Sequence, residues 1–465
     1  MRTRREFLLL GGGLLAAARR PPNFVIILTD DQGYADLGSY GAEGFSTPRL
    51  DRMAAEGVRF TEFYSAPICT PARAALLTGC YPIRVGLTRV LGVGARNGIS
   101  AAEKLIPEVL HEIGYRTAIF GKWHLGREEK FLPLQHGFDE FFGTPGSNDM
   151  GSNMDLAARR AGKAGVELME GNKVVELDPD QSLFTRRYTE RAVDFIRRNR
   201  QRPFFLYLAH NMPHTPIFAS DRFRGKTRRG LYGDVVEEID WSVGEVLDAL
   251  RREGLEDNTL LFFTSDNGPW LIFGDHGGSA KPLRGGKKQT LEGGLRVPAL
   301  ARWPGRIHAG RTCAEIVTAM DLLPTITHLA GGKLPAHKID GLDIWPLLAG
   351  EPVGARPRDT FYYYYEDELR GVRKGRWKLQ LPHTDSQAPD PKGIGMGGVR
   401  GQVFSQKFEQ ALYDIEADPG ETTDLSAKHS QVVKELLALA ESVREELGCA
   451  ITHRKGHGVR PSGGS

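Results

Sequence analysis

The sequence predicts an α/β protein: a large, mostly parallel sheet sandwiched by helices, followed by a smaller C-terminal domain of antiparallel strands plus a helix. Three observations predict it. Continuous apolar runs of strand length recur at 23–29, 116–120, 203–209 and 259–264, the mark of strands buried on both faces. Stretches of helical period lie between them, at 47–56, 104–113, 184–198 and 232–252, the alternation that builds a parallel sheet. After 345–348 the alternation gives way to the aromatic run at 360–365 and a turn at Lys374-Gly375, read as antiparallel strands, with an amphipathic closing helix at 431–447.

With 465 residues, 40% of them hydrophobic and 26% charged, the chain is long enough for one large domain and a smaller one. A formal net charge of +3 gives no argument for nucleic acid or a membrane surface. Four cysteines, Cys69, Cys80, Cys313 and Cys449, show no zinc spacing and are too sparse for a disulfide scaffold.

From the N-terminus, Arg4-Arg5-Glu6-Phe7 and the apolar run that follows resemble a twin-arginine export signal over 1–22, too short to span a bilayer. The alternative is a disordered basic N-terminus. Domain boundaries are expected at 23–350 for the sheet domain and 351–455 for the antiparallel domain. Residues 456–465 are read as a disordered tail, and 393–401 as a mobile glycine-rich loop.

Ligands of parallel sheets bind beyond the carboxyl ends of the strands. Here the four apolar runs end in Asp30-Asp31, Lys122-Trp123-His124, His210 to His214, and Asp266-Asn267. Two adjacent carboxylates at one strand end repel each other, and a turn cap explains one but not both. With Asp266 and Asn267 they form an all-oxygen set suited to Ca²⁺ or Mg²⁺. Lys122 and His124 alternate onto the same side of an extended segment, and His214 follows another strand. His210, at the strand end itself, reads as a structural hydrogen-bonding group. Glycines around Lys287 and Lys288 let the backbone pass close to a site, and by spacing alone either lysine can reach an anion.

Cys69 lies on a turn that opens an apolar helix, with Pro71 in its first turn and Gly79 at its end. The N-terminal dipole there favours an anion, and Arg73 stands one turn on.

The order of motifs resembles the formylglycine-dependent sulfatases of the arylsulfatase A and galactosamine-6-sulfatase type, in the alkaline phosphatase superfamily. The motifs are Asp30-Asp-Gln-Gly, Cys69-Thr-Pro-Ala-Arg73, Gly121-Lys-Trp-His-Leu-Gly, Gln135-His-Gly-Phe-Asp-Glu-Phe-Phe-Gly143, Pro213-His-Thr-Pro, Ser265-Asp-Asn-Gly, and Lys287 with Glu292-Gly-Gly-x-Arg296. The resemblance implies an alkaline phosphatase-like fold and hydrolysis of sulfate monoesters, with sulfated carbohydrate as the expected substrate. It implies Cys69 converted to 3-oxoalanine (formylglycine) by a maturation enzyme, and one Ca²⁺ held by Asp30, Asp31, Cys69, Asp266 and Asn267. Cys69, Arg73, Lys122, His124, His214 and Lys287 are the implied catalytic residues, with Lys122, Ser147, His214 and Lys287 binding substrate. Export by the twin-arginine machinery to the periplasm or the exterior fits a folded, metal-loaded enzyme. Two departures are Cys80, where relatives often carry a basic residue, and Lys287-Lys288, where they usually show Lys-Gly. The rival readings are a formylglycine-dependent phosphodiesterase or phosphonate monoester hydrolase, and a catalytically silent carbohydrate-binding relative.

Overall fold

The structure, a computed structural model, describes residues 20–151, 165–351 and 357–464. The twin-arginine motif therefore lies outside the described residues. At the centre is a ten-stranded sheet. Its strands are β1 (Asn23–Thr29), β2 (Val58–Phe60), β3 (Arg116–Lys122), β4 (Glu140–Thr144), β5 (Glu167–Glu170), β6 (Lys173–Leu177), β7 (Phe204–Ala209), β8 (Thr259–Ser265), β9 (Ala299–Arg302) and β10 (Arg311–Cys313). They lie in the order β10-β2-β9-β8-β1-β7-β3-β4-β5-β6. The middle five, from β8 to β4, are parallel, and antiparallel pairings appear toward both edges.

The apolar runs take this form because each central strand feeds two cores. All seven residues of β1 are buried. Phe24, Ile26 and Leu28 enter the core on one face, and Val25 and Ile27 the core on the other. Helices α1 (Pro48–Ala55), α2 (Cys69–Thr78), α3 (Ile106–Glu112), α4 (Phe184–Arg198), α5 (Leu231–Arg252), α6 (Glu292–Leu295) and α7 (Leu322–Ala330) connect and cover the strands. Residues of α1, α4 and α5 fill one core; those of α2, α3 and α7 fill the other.

The smaller domain contains β11 (Thr360–Tyr365), β12 (Glu368–Lys374), β13 (Trp377–Gln380), the hairpin β14 (His383–Pro389) and β15 (Val403–Phe408), β16 (Ala411–Asp414) and helix α8 (Ser430–Leu447). An antiparallel sheet, β11-β12-β13-β16, buries Leu369, Val372, Leu379 and Leu412 against Val433, Leu436, Ala440 and Val443 of α8. The same core takes in Tyr64, Ala75 and Leu295 from the sheet domain. α2 is thus wedged between the two domains, which is why all ten of its residues are buried.

Two expectations are corrected. Residues 456–464 are not a disordered tail: Gly463 and Gly98 exchange backbone hydrogen bonds at 2.8 and 3.1 Å, and the Arg460 fork binds Glu103 at 2.6 and 2.8 Å. Backbone pairing and one arginine supply the anchorage that the segment's polar, glycine-rich composition conceals. The 393–401 loop is likewise tied down, with Gly395 N and Gly401 N both donating to Ile272 O.

Candidate active site

The site forms where the carboxyl ends of β1, β3, β7 and β8 meet the N-terminus of α2. The register of β1 on β8 pairs Thr29 with Ser265, so Asp30-Asp31 and Asp266-Asn267 leave the sheet side by side. Asp266 N donates to Thr29 O at 3.0 Å, and Asp31 N to Asp266 Oδ1 at 3.2 Å. All four residues are at most 3% exposed.

Cys69 opens α2 with its Sγ 3.5 Å from Asp30 Oδ1. Burial and the Asp30 charge push the thiol far above its ordinary range. As a free cysteine it therefore stays protonated and is a weak nucleophile. All four cysteines are free and buried, so Cys80 does not bridge to Cys69.

Arg73, one turn on, gives Nε and Nη2 to Asp266 Oδ2 at 3.2 and 2.9 Å and Nη1 to Lys122 O at 2.7 Å. Its Nη2 also stands 3.3 Å from Asp30 Oδ2. Carboxylates and a carbonyl thus engage all three of its nitrogens.

Lys122 ends β3. Gly121 before it has φ 119°, and a Cβ there would lie 1.8 Å from Ala209 O, so only glycine lets β3 lie against β7 at this point. Lys122 Nζ donates to Asp30 Oδ2, and to Ser147 Oγ at 3.0 Å. Lys287 Nζ reaches the Asp31 carboxylate at 2.7 and 2.8 Å.

The two histidines differ in tautomer. His124 Nε2 is 3.2 Å from Leu91 O, which can only accept, so Nε2 carries the proton and Nδ1 is left buried without a partner. His214 Nδ1 is 2.6 Å from Thr215 O, so there Nε2 is bare, 3.7 Å from Asp31 Oδ2. Burial and neighbouring cations push both imidazoles below their usual range. His210 turns away to Ser242 Oγ at 3.2 Å and is pushed by burial to about 3, the structural role expected of it.

Two residues escaped the sequence reading. The Trp270 ring lies 5.4 Å from that of His214 and 4.3 Å from Lys287 Nζ. Its place four residues beyond Asp266 was the one available signal. Asp149 accepts a hydrogen bond from Ser147 and faces His214 and Lys122; against burial, these hold its carboxyl below the usual range.

The donor set fits a hard divalent cation. Ligand atoms of Asp30, Asp31, Cys69 and His214 lie within 4.8 Å of one another, all buried. Asn267 Nδ2 donates to Asp31 Oδ1 and Gly268 O, while its Oδ1 is buried with no partner. Burial works against ionisation of Asp30, but Lys122, His214 and Arg73 outweigh it. Burial and the Asp30 charge push Asp266 up, a repulsion that a divalent cation would relieve. Asp30, Asp31, Cys69 and His214 are thus brought together, and Asp266 and Asn267 join them through hydrogen bonds with Asp31.

Comparison with known proteins gives the family. The Sulfatase family matches residues 22–332, and the C-terminal region of aryl-sulfatase matches 356–455. N-acetylgalactosamine-6-sulfatase of Canis lupus familiaris is 41% identical over 90% of this chain and 84% of its own length. Arylsulfatase A of Homo sapiens is 38% identical over 92% of this chain and 88% of its own. Among solved structures, the PsFucS1 sulfatase from Pseudoalteromonas sp. superposes with a TM-score of 0.82 at 27% identity, covering 91% of this chain and 90% of that one. The chain belongs to the sulfatase family, and it is a sulfuric ester hydrolase.

Proposed function

We propose that the protein removes sulfate from a sulfated carbohydrate, with Cys69 matured to formylglycine and Ca²⁺ held by Asp30, Asp31, Asp266 and Asn267. The observation that carries this is the position of Cys69: the inert thiol stands at a helix N-terminus, 3.5 Å from a carboxylate of the oxygen-donor set. An amide oxygen among the donors suits Ca²⁺, which tolerates irregular geometry, better than Mg²⁺. Relatives named for N-acetylgalactosamine-6-sulfate, and a structure at 30% identity solved with neocarrahexaose, support a carbohydrate substrate. Maturation in the cytoplasm followed by twin-arginine export suits the order of these events.

When present, the hydrated aldehyde supplies the attacking hydroxyl, and the cation draws charge from the sulfate oxygens. The chain's own groups do the rest. Lys122, Lys287 and Ser147 hold the sulfate oxygens. Arg73 acts through Asp266 and Asp30, whose carboxylates it orients. His124 Nδ1 accepts a proton from the group at position 69. Lys287 is held charged by Asp31, so the leaving oxygen takes its proton from His214, whose bare Nε2 first takes up a proton from solvent when an anion binds beside it.

Mass analysis of the peptide carrying Cys69, on protein from its native host, tests the reading. Aldehyde at position 69, with activity lowered roughly 10³-fold or more by Cys69→Ala, is expected. An unmodified thiol in active protein overturns it, and a preference for matched phosphonate over sulfate esters transfers the site to that chemistry.

A further inference from the structure

The loop that carries Lys287 holds a second lysine whose charge the reaction does not use. Lys288 stands at φ 73°, in the left-handed region that disfavours a long side chain. Its backbone N donates to Pro67 O at 2.8 Å, which ties it to the turn leading into Cys69. The half-buried side chain brings Nζ 3.2 Å from Gln387 Oε1 and 5.3 Å from the centre of the Trp270 indole. Lys287 Nζ approaches the same indole at 4.3 Å, and the His214 ring lies 5.4 Å from it.

The charges around this indole are unbalanced. Asp31 pairs directly with Lys287. Among the described residues, no carboxylate lies within ion-pair distance of Lys288, whose polar partner is the neutral Gln387 amide. Lys287 and Lys288 thus bring two cations to one indole, and burial and Lys287 lower the tendency of Lys288 to stay charged. A half-buried ammonium beside a like charge is an arrangement that an incoming anion relieves.

We propose that Lys288, with Gln387, forms a second anion subsite. It takes a further acidic group, a carboxylate or a second sulfate, on a saccharide whose scissile sulfate lies at Lys122, His214 and Lys287. Trp270 lies between the two anion positions and offers its face to the sugar. A lysine suits this task because its flexible point charge accepts either anion. The inference rests on the reading of the reacting site given above, and it narrows the substrate to carbohydrates carrying at least two negative charges.

The test uses Cys69→Ala protein, which binds without turnover, with and without Lys288→Gly. Glycine suits φ 73°, so the variant is expected to fold, and an unchanged or higher Tm checks this. Calorimetry compares a monosulfated sugar that the matured enzyme desulfates, its disulfated form, and a disaccharide joining it to a uronic acid. Binding about tenfold tighter for a doubly charged ligand, lost in Lys288→Gly, is expected. The disulfated and uronate arms identify which anion the subsite takes. Equal affinity for all three ligands, or a preference that survives Lys288→Gly, overturns the proposal. Failure of the underlying reading shows separately, as matured wild-type protein that desulfates no sulfated sugar.

Discussion

At the residue scale, the site's chemistry turns on which nitrogen of each histidine is bare. His124 gives its Nε2 proton to Leu91 O and keeps Nδ1 unpaired in a buried setting. An orphaned buried acceptor costs roughly 1–3 kcal/mol, and a base requires one that faces the reacting group. The residue's φ of 60° adds to the sense that its placement serves chemistry before stability. His124→Gln keeps a donor for Leu91 O but removes the base. It should lower kcat by about 10²- to 10⁴-fold while leaving the urea unfolding midpoint nearly unchanged. Because burial and the Lys122 and Arg73 charges lower its imidazole, His124 should set an acid limb of kcat well below pH 6.5. A pH profile whose acid limb sits at or above that value, or a variant with wild-type kcat, would remove His124 from this role.

At the element scale, the smaller domain holds the loop that delivers Lys287. Lys378 Nζ, from β13, donates to Thr290 O at 3.0 Å and pairs with Glu292 at 3.2 Å and Glu421 at 2.7 Å. Glu292 in turn accepts from Tyr363 at 2.6 Å and Tyr64 at 2.5 Å, and Gln289 donates to Asp385 at 2.8 Å. Every one of these groups is buried. Removing one member strands the others without water, so Glu292→Gln should destabilise the protein by about 3–5 kcal/mol and lower kcat/KM together. Adding Lys378→Met should recover part of that loss, since part of the cost comes from an ammonium left with Glu421 as its one carboxylate partner; urea unfolding of the single and double variants measures both. Additive losses would show that the two residues do not act as a pair. None of this network is legible in the sequence, because its members lie far apart and nothing in a strand's period marks a buried charge. The strands themselves are legible: β1, β3, β7 and β8 are buried on both faces and must be apolar throughout, so each polar residue that ends them stands out. Trp270 and Asp149 lack that contrast, being single residues in loops whose path depends on the whole fold.

At the scale of the whole molecule, the ion pairs around Cys69 cancel without a metal. Asp30, Asp31 and Asp266 face Arg73, Lys122 and Lys287, and Asp149 adds a carboxylate, so these groups leave no net positive charge to attract an anionic ester. The protein's formal net charge of +3 is too small to steer one from a distance. A divalent cation held by Asp30, Asp31, Asp266 and Asn267 would supply that attraction, and its ligands would tie the end of β1 to that of β8. Such an ion would serve both substrate and fold, and its removal should show in both. Protein stripped with EGTA should unfold several degrees lower, by an amount that grows with the Ca²⁺ concentration of the untreated reference. It should also lose most of its affinity for inorganic sulfate, and Ca²⁺ should restore both properties more fully than Mg²⁺ at equal concentration. Thermal unfolding and sulfate titration on the same stripped sample separate the two effects. If sulfate affinity survives with the lower unfolding temperature, the three cations of the chain attract the substrate and the ion is structural; if neither property changes, these four residues do not hold a metal.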